Sequence, residues 1–518
     1  MSSPAPHHHH HHAKLIKSQI VHYDLNITSD FVAPDCVEKI SLLVNGGFTG
    51  PQIDVNRNDI LEVTINNMLD THGITIHFHG IDQLGTPFYD GAAFVSQDLI
   101  PPGRSQTIRM NSQAVFGALV VHEPSDPATI GFDDERTNIL RDWWQADEQD
   151  LMDGLLSKTH FRWIGDPQSL LTNGRGAFRK AANCSINPAS GITPATQTRY
   201  QQEFTTITVE PSKTYRFRII AASTLEYFVF TVPNHTLTIV EVEGTLVEPF
   251  TVDALEINSG QRWSDPGTPA GFSILHYSSA KNVTAPSPPS TPLSPLANPT
   301  PGWILSKLVP RDLKRAAVPK ATQQIILAGH QFLAGDDGRP AVTPFGPGRM
   351  LWGFKNQSTA ILMHDYANTL KSLPKASQPI AEIKLGEVVE IVLQGTVMEI
   401  FPGFNLCQEH PWHLHGHSFY DLGGGPGLYD PKGNHSEPTT AILRDTTTLY
   451  PYSGAGFQPQ LPAGTPCGWH RIRYVANNPG AWLFHCHIAP HLVMGMGVVF
   501  NEGIEHLPPL PVSFEQPF

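Results

Sequence analysis

The densest chemistry in this chain lies in Phe484-His485-Cys486-His487-Ile488-Ala489-Pro490-His491-Leu492-Val493-Met494-Gly495-Met496. Read as a strand followed by a turn, it places alternate side chains on opposite faces. His485 and His487 then point one way and Cys486 the other. His491 returns after the Ala489-Pro490 turn, and Met496 follows it. A thiolate, an imidazole and a distant thioether are three of the four ligands of a blue-copper site, His₂Cys with a weak axial Met. The two outward histidines remain for a second metal group, joined to the first through the backbone of Cys486. Zinc is the plainer alternative, but no C-x-x-C accompanies the stretch.

A second stretch, His410-Pro411-Trp412-His413-Leu414-His415-Gly416-His417, supplies partners. His413 and His415 share a strand face, and His410, across the Pro-Trp turn, is the natural second imidazole for Cys486. A third, His77-Phe78-His79-Gly80, offers another same-face pair. One H-x-H is commonly structural. Three of them, one split by Cys and followed by His and Met, point together to copper.

These motifs make the chain similar to the multicopper oxidases, in particular the ascomycete laccase and ascorbate-oxidase-like branch. The resemblance runs from about Val21 to Glu502. It includes Asn45-Gly46-Gly47-Phe48-Thr49-Gly50-Pro51, Asp90-Gly91, Phe161-Arg162-Trp163-Ile164-Gly165, Asn173-Gly174-Arg175-Gly176, Val247-Glu248-Pro249-Phe250 and Gly423-Gly424-Gly425-Pro426-Gly427. It implies an all-β fold of three consecutive cupredoxin-like Greek-key β-sandwich domains and four coppers. The blue copper would be held by His410, Cys486, His491 and Met496. The three-copper cluster would draw on His77, His79, His413, His415, His485 and His487. The resemblance also gives Asp90 a proton-moving role beside the cluster, and places Glu226 in the pocket over the blue copper, where a carboxylate can accept a phenol proton. His417 reads as support for the ligands rather than a ligand.

The 518 residues exceed one core, so several domains are expected. Residues 1–12, ending in six histidines, are an expression tag. Residues 13–127 alternate like strands broken by Gly, Pro and Asn, with period two over Asp59 to Ile65. Pro124 to Thr129 reads as a linker. Residues 128–300 form the second domain, with strands at Tyr215 to Ile220 and Leu237 to Val242. It contains no H-x-H, so no copper is expected there. It ends in the Pro/Ser-rich linker Ala285 to Pro301. Residues 301–518 form the third domain, whose strands start near Gln323.

A net charge of -13 without a basic cluster argues against nucleic acid and mildly favours neutral or cationic substrates. No apolar run is long enough to span a membrane. Sequons at Asn26, Asn183, Asn234, Asn282, Asn356 and Asn434 suit a secreted glycoprotein. Of the five cysteines, four remain beside Cys486. Cys36 with Cys184 resembles the bridge between the family's first two domains. Cys407 with Cys467 would staple the third, with two free thiols as the alternative. Either bridge needs an oxidising compartment.

The chain departs from the family in three places, two of them shortenings. Domains one and three are internal repeats, since Pro102-Gly103-Arg104 through Ile108-Arg109-Met110 matches Pro466-Cys467-Gly468 through Ile472-Arg473-Tyr474. The third domain continues to His485-Cys486-His487, whereas the first goes from Asn111-Ser112 directly to Gln113-Ala114-Val115-Phe116. The fourth H-x-H of the family is missing, leaving six of its eight cluster histidines. The nearest spare, His122, stands where the family has a non-ligand. A second shortening follows Gln261-Arg262-Trp263-Ser264, where two strands are expected. Asp98 replaces a cysteine that pairs with the C-terminal tail in relatives, and the tail here has none. Three origins fit the two gaps: a shortened protein with an altered cluster, a gene model or splice form lacking coding segments, or a sequence lacking residues the physical protein contains. A sandwich that loses a central strand leaves backbone groups unpaired, which favours the latter two.

The expected activity is one-electron oxidation of phenols or enediols at the blue copper, with electrons passing through Cys486 to His485 and His487. Dioxygen would be reduced to water. In ascomycetes this resemblance implies phenol coupling in pigment or natural-product assembly. The alternative is a degenerate relative without a complete cluster, serving as an electron carrier or coupling partner. A ferrous or cuprous ion oxidase would carry extra acidic or Met-rich ligands near the blue copper, and the nine methionines do not cluster outside the ligand stretch.

Overall fold

The computed structural model describes residues 18–111, 119–122, 131–157, 161–176, 204–257, 271–279, 304–334, 349–354, 381–401, 404–452, 456–457 and 461–511. The expected linkers at Pro124 to Thr129 and Ala285 to Pro301 lie outside these residues. So do Cys184 and the sequons at Asn183, Asn282 and Asn356. Asn26, Asn234 and Asn434 are exposed. No helix among the described residues is long and apolar enough to cross a membrane.

The same pair of parallel strand contacts recurs three times, in the second unit as well as in the two that repeat in sequence. In the first unit Ile20–Val32 runs parallel to Ile60–Asn67, and Ile53–Asn56 parallel to Leu119–His122. In the second, Asp134–Trp143 lies parallel to Tyr215–Ala221, and Thr205–Val209 to Ser273–Tyr277. In the third, Gln323–Ala334 lies parallel to Val388–Thr396, and Ala381–Ile383 to Gly497–Glu502. Parallel neighbours need crossover connections, which here run between two sheets, as in a Greek-key sandwich. Ile60–Asn67 shows the expected alternation: Leu61, Val63 and Ile65 are fully buried and the intervening residues are half-exposed. Each such side chain contributes about 1.5–3 kcal/mol on burial.

The third unit is the best-packed. Gly480–Cys486 lies between His410–Leu414 and Gly497–Glu502, antiparallel to both. Trp412, Phe484, Phe500, Met494 and Met496 close around Cys486 in one buried cluster. Val388–Thr396 is buried on both faces. Its polar face is satisfied by ion pairing, with Glu390 receiving Arg473 and Arg471. The Cys407–Cys467 disulfide is formed, as expected. Cys36 is also disulfide-bonded.

The shortenings are visible as free edges. The Cys486 strand falls between Pro466–Val475 and Gly497–Glu502, separated by residues 476–496. Their counterparts in the first unit, Ser105–Asn111 and Leu119–His122, are separated only by residues 112–118. Seven residues stand there against twenty-one in the third unit. Among the described residues, Leu119–His122 therefore pairs only with Ile53–Asn56. Tyr215–Ala221 likewise has no strand on its outer edge among the described residues. Both free edges line a cavity of about 1720 Å³.

Candidate metal centres

Three side chains converge beneath Trp352. His410 Nδ1 lies 3.8 Å and His491 Nδ1 3.6 Å from Cys486 Sγ, and all three residues are buried. His410 starts its strand, and Cys486 ends the neighbouring one. His491 sits on a one-turn helix, Ala489–Val493, where a simple turn was expected. Pro490 favours helical φ at that position and the backbone closes the turn, with Met494 N–H donating to the Pro490 carbonyl at 3.0 Å. Met496 is buried beside them. Its N–H donates to the His491 carbonyl (2.8 Å), and its carbonyl accepts from Cys486 N–H (2.9 Å), so the loop is fastened to the Cys486 strand. Burial holds His410 down at about 3 and His491 well below its ordinary range, and pushes the Cys486 thiol up. Both imidazoles are thus in the neutral, metal-binding form, and the thiol gives up its proton to a metal.

Behind the thiolate lies a polyhistidine centre, which lines a cavity of about 370 Å³. His77 Nδ1 contacts the Asp90 carbonyl at 2.6 Å, and His415 Nδ1 contacts Asp90 Oδ2 at 2.8 Å. His413 Nδ1 meets the Asp445 carbonyl at 2.8 Å, and His485 Nδ1 the Cys486 carbonyl at 2.8 Å. All four partners are acceptors, so each Nδ1 carries the hydrogen and each Nε2 presents a lone pair. The Nε2 atoms of His77 and His413 face each other at 3.2 Å, as do those of His415 and His485. Opposed lone pairs at that distance repel unless a cation lies among them, so the donor set fits a metal such as copper.

His79 approaches Asp445 Oδ2 through Nδ1 at 2.9 Å, and its Nε2 is buried without a partner. His487 Nδ1 is likewise buried and unpartnered. Burial holds both imidazoles at about 3, and His415 at about 4. Burial alone would raise the Asp90 carboxyl, but His415 and His77 hold it well below the usual carboxylate range. Glycine fixes two of the turns. A Cβ on Gly91 (φ +86°) would meet the Ile76 carbonyl at 2.1 Å, and one on Gly416 (φ +72°) would strike the Trp482 ring at 2.4 Å. The Asp90-Gly91 turn packs on the His77 backbone, and His77 to His79 lies outside any strand, with His79 in a turn, where a strand was expected.

Of the other expected residues, His417 supports as anticipated, contacting the His415 carbonyl and the Glu502 carboxylate. His122 is committed to Asp54 (Nε2–Oδ1, 2.9 Å) and joins no metal-holding group among the described residues. Glu226 is buried with Oε1 unpartnered, and burial with the neighbouring Asp142 pushes it to about 7. Its loop touches the His491 helix where Ala489 N–H donates to the Thr224 carbonyl at 3.0 Å. Sequence reasoning missed Trp352 and did not single out Trp163. Their rings lie 5.3 and 5.7 Å from that of His491. It also missed Asp445, for which spacing gave no signal.

Sequence comparison matches the multicopper oxidase family over residues 26–128, 134–264, 354–458 and 460–506. The chain belongs to the multicopper oxidase family, oxidoreductases with oxygen as acceptor. It is 33% identical to the L-ascorbate oxidase of Cucurbita pepo var. melopepo, covering 96% of this chain and 97% of that enzyme. It is 28% identical to laccase-like multicopper oxidase 1 of Thermothelomyces thermophilus, covering 95% and 88%. The laccase from Botrytis aclada shares the fold, with a TM-score of 0.71, 22% identity and coverage of 95% and 89%. The alignment with the ascorbate oxidase spans 567 positions against 518 residues here, so that enzyme carries segments this chain lacks.

Proposed function

We propose that the protein is a laccase-like oxidase of phenolic or enediol donors, acting in a secreted, oxidising setting. The observation that carries this reading is the His410–Cys486–His491 triad, joined through the Cys486 carbonyl to His485 of the polyhistidine centre. Copper bound at the two centres supplies one-electron acceptance from the donor and reduction of dioxygen. His410, Cys486 and His491, with Met496 beside them, would hold the first copper. His77, His79, His413, His415, His485 and His487 would hold the second group. Trp163 offers a flat face beside His491, which suits a planar donor, while Trp352 is buried against the same imidazole. Glu226 takes the phenol proton, because a carboxyl poised near 7 both accepts and releases one at neutral pH. Asp90 keeps His77 and His415 in the lone-pair-forward tautomer.

The absent fourth H-x-H favours a second reading, a relative with an incomplete cluster that carries electrons without reducing dioxygen. Copper per protein after loading, with electron paramagnetic resonance and oxygen uptake on a phenol, separates the two. About four coppers with oxygen consumption supports the oxidase; one copper, all of the blue type, without oxygen uptake sinks it.

A further inference from the structure

The hairpin Leu237–Val242/Thr245–Val252 belongs to the second unit, which supplies no histidine to either centre. It turns on two residues, Glu243 and Gly244, both at positive φ (+46° and +71°). Such turns favour Asn-Gly or Asp-Gly, because a longer side chain gains nothing there and the left-handed backbone strains it. A glutamate at this position calls for a compensating contact, and the structure supplies one. The Glu243 carboxylate reaches across to the third unit and accepts the backbone N–H of Asp445 (3.1 Å) and of Thr446 (3.2 Å) through Oε2. Its Oε1 receives the buried Arg444 guanidinium. Thr245 adds a bond from Oγ1 to the Leu443 carbonyl at 2.7 Å.

The segment held this way is the one that orients two ligands from different units. The Asp445 carbonyl takes Nδ1 of His413, and its carboxylate faces Nδ1 of His79. Although His79, His413 and Asp445 lie close enough together to suggest a metal triad, His413 Nδ1 already serves the carbonyl, so Asp445 acts behind the ligands. We propose that Glu243 is a positioning residue for the polyhistidine centre: its carboxylate clamps the Asp445 backbone, and Asp445 in turn aims His79 and His413. This rests on the reading that the centre binds copper.

Outer partners of metal-bound histidines are worth about 10–100-fold in affinity. In the full-length protein, Glu243→Ala should weaken copper at the polyhistidine centre by a factor in that range while the blue-copper spectrum persists. Glu243→Gln, which keeps an acceptor oxygen, should lose less. The control is Glu241→Gln on the same hairpin, whose partner is Arg216 rather than Asp445. It should leave copper affinity unchanged even if it lowers thermal stability. Equal copper binding in Glu243→Ala and unmutated protein, or equal losses in Glu243→Ala and Glu241→Gln, would overturn the proposal. A second readout needs no metal: ¹⁵N-histidine resonances of His79 and His413 in copper-free protein. Glu243→Ala should shift them and Glu241→Gln should not; unshifted resonances overturn the clamp. If unmutated protein binds no copper beyond the blue site, the functional reading fails and the histidine resonances still decide the clamp.

Discussion

Replacing Glu226 with glutamine tests the electrostatics of the donor pocket most directly. The Glu226 carboxyl is nearly fully buried, one oxygen has no hydrogen-bond partner, and its neighbour Asp142 caps the same loop through the N–H groups of Thr224, Leu225 and Glu226. Burial first and Asp142 second lift it from an ordinary 4.5 to about 7. The folded state therefore binds a proton more tightly than the unfolded chain. The sign follows: below pH 4.5 the group is protonated in both states and costs nothing, and the penalty grows between 4.5 and 7 and is complete above 7. Its full size is about 3 kcal/mol. Glu226→Gln removes the charge and keeps the shape, so it should stabilise the protein at pH 8 by up to that amount and leave stability at pH 4 unchanged.

The same substitution removes the proposed proton acceptor. Phenol oxidation by the unmutated protein should rise tenfold per pH unit below about 7 and then level off, following the deprotonated fraction of Glu226. Glu226→Gln should flatten that limb and lower kcat/KM for phenols by about 10²-fold or more at pH 7.5. A donor with no proton to lose should be oxidised almost as before. Paired thermal unfolding at pH 4 and 8 and a pH–rate profile measure both effects. A Glu226→Gln protein that keeps the rising limb, or gains no stability at pH 8, refutes the reasoning.

Cys486→Ser should abolish the intense blue thiolate–copper absorption and remove one copper per protein, with copper at the polyhistidine centre retained; metal analysis showing no loss contradicts the assignment. Asp90→Asn leaves the backbone carbonyl that holds His77 but replaces the carboxylate that holds His415 with a neutral amide, and should weaken copper at the polyhistidine centre by about 10–100-fold, as read by competition with a chelator. Replacing both Cys407 and Cys467 with serine opens a 60-residue loop and should cost about 4 kcal/mol in denaturant unfolding; a loss below about 1 kcal/mol would show that the unfolded chain is already restrained there.

Much of the copper chemistry was readable from spacing because both ligand stretches are local. His485, Cys486 and His487 separate by strand alternation alone, and the His410–Cys486 contact follows from pairing of Trp412 with Cys486 in the sheet. Period two announced Ile60–Asn67; Val388–Thr396, buried on both faces, has no such alternation to read. What stayed hidden depends on contacts distant in sequence. Asp445 reaches His79 across the unit boundary, and Trp352 meets His491 only because Arg349–Phe354 folds over the helix, with Trp352 N–H bonded to the Met494 carbonyl. No periodicity encodes either. Glu226 was singled out only through resemblance. Its burial, which sets its chemistry, comes from Asp142 and the His491 helix closing around it.

The shortening of the first unit was also readable, because the chain contains its own template in residues 466–502, and the structure shows which side of the polyhistidine centre it opens. His77, His79 and His487 line the large cavity along with the free edge at Leu119–His122. His415 and His485 do not line it; they line the smaller cavity of about 370 Å³, with Asp90 behind His415. The open edge therefore faces His77, His79 and His487, in the place a strand of the Gly480–Cys486 kind would occupy. Replacing residues 112–118 with a segment as long as residues 476–496, ending in H-x-H, should cover that edge, supply two imidazoles and raise copper per protein. It should also raise thermal stability, since each buried backbone group given a partner recovers about 1 kcal/mol or more. Unchanged copper content in a folded chimera would mean that the open side is already complete by some other ligand, and that the template reading is wrong.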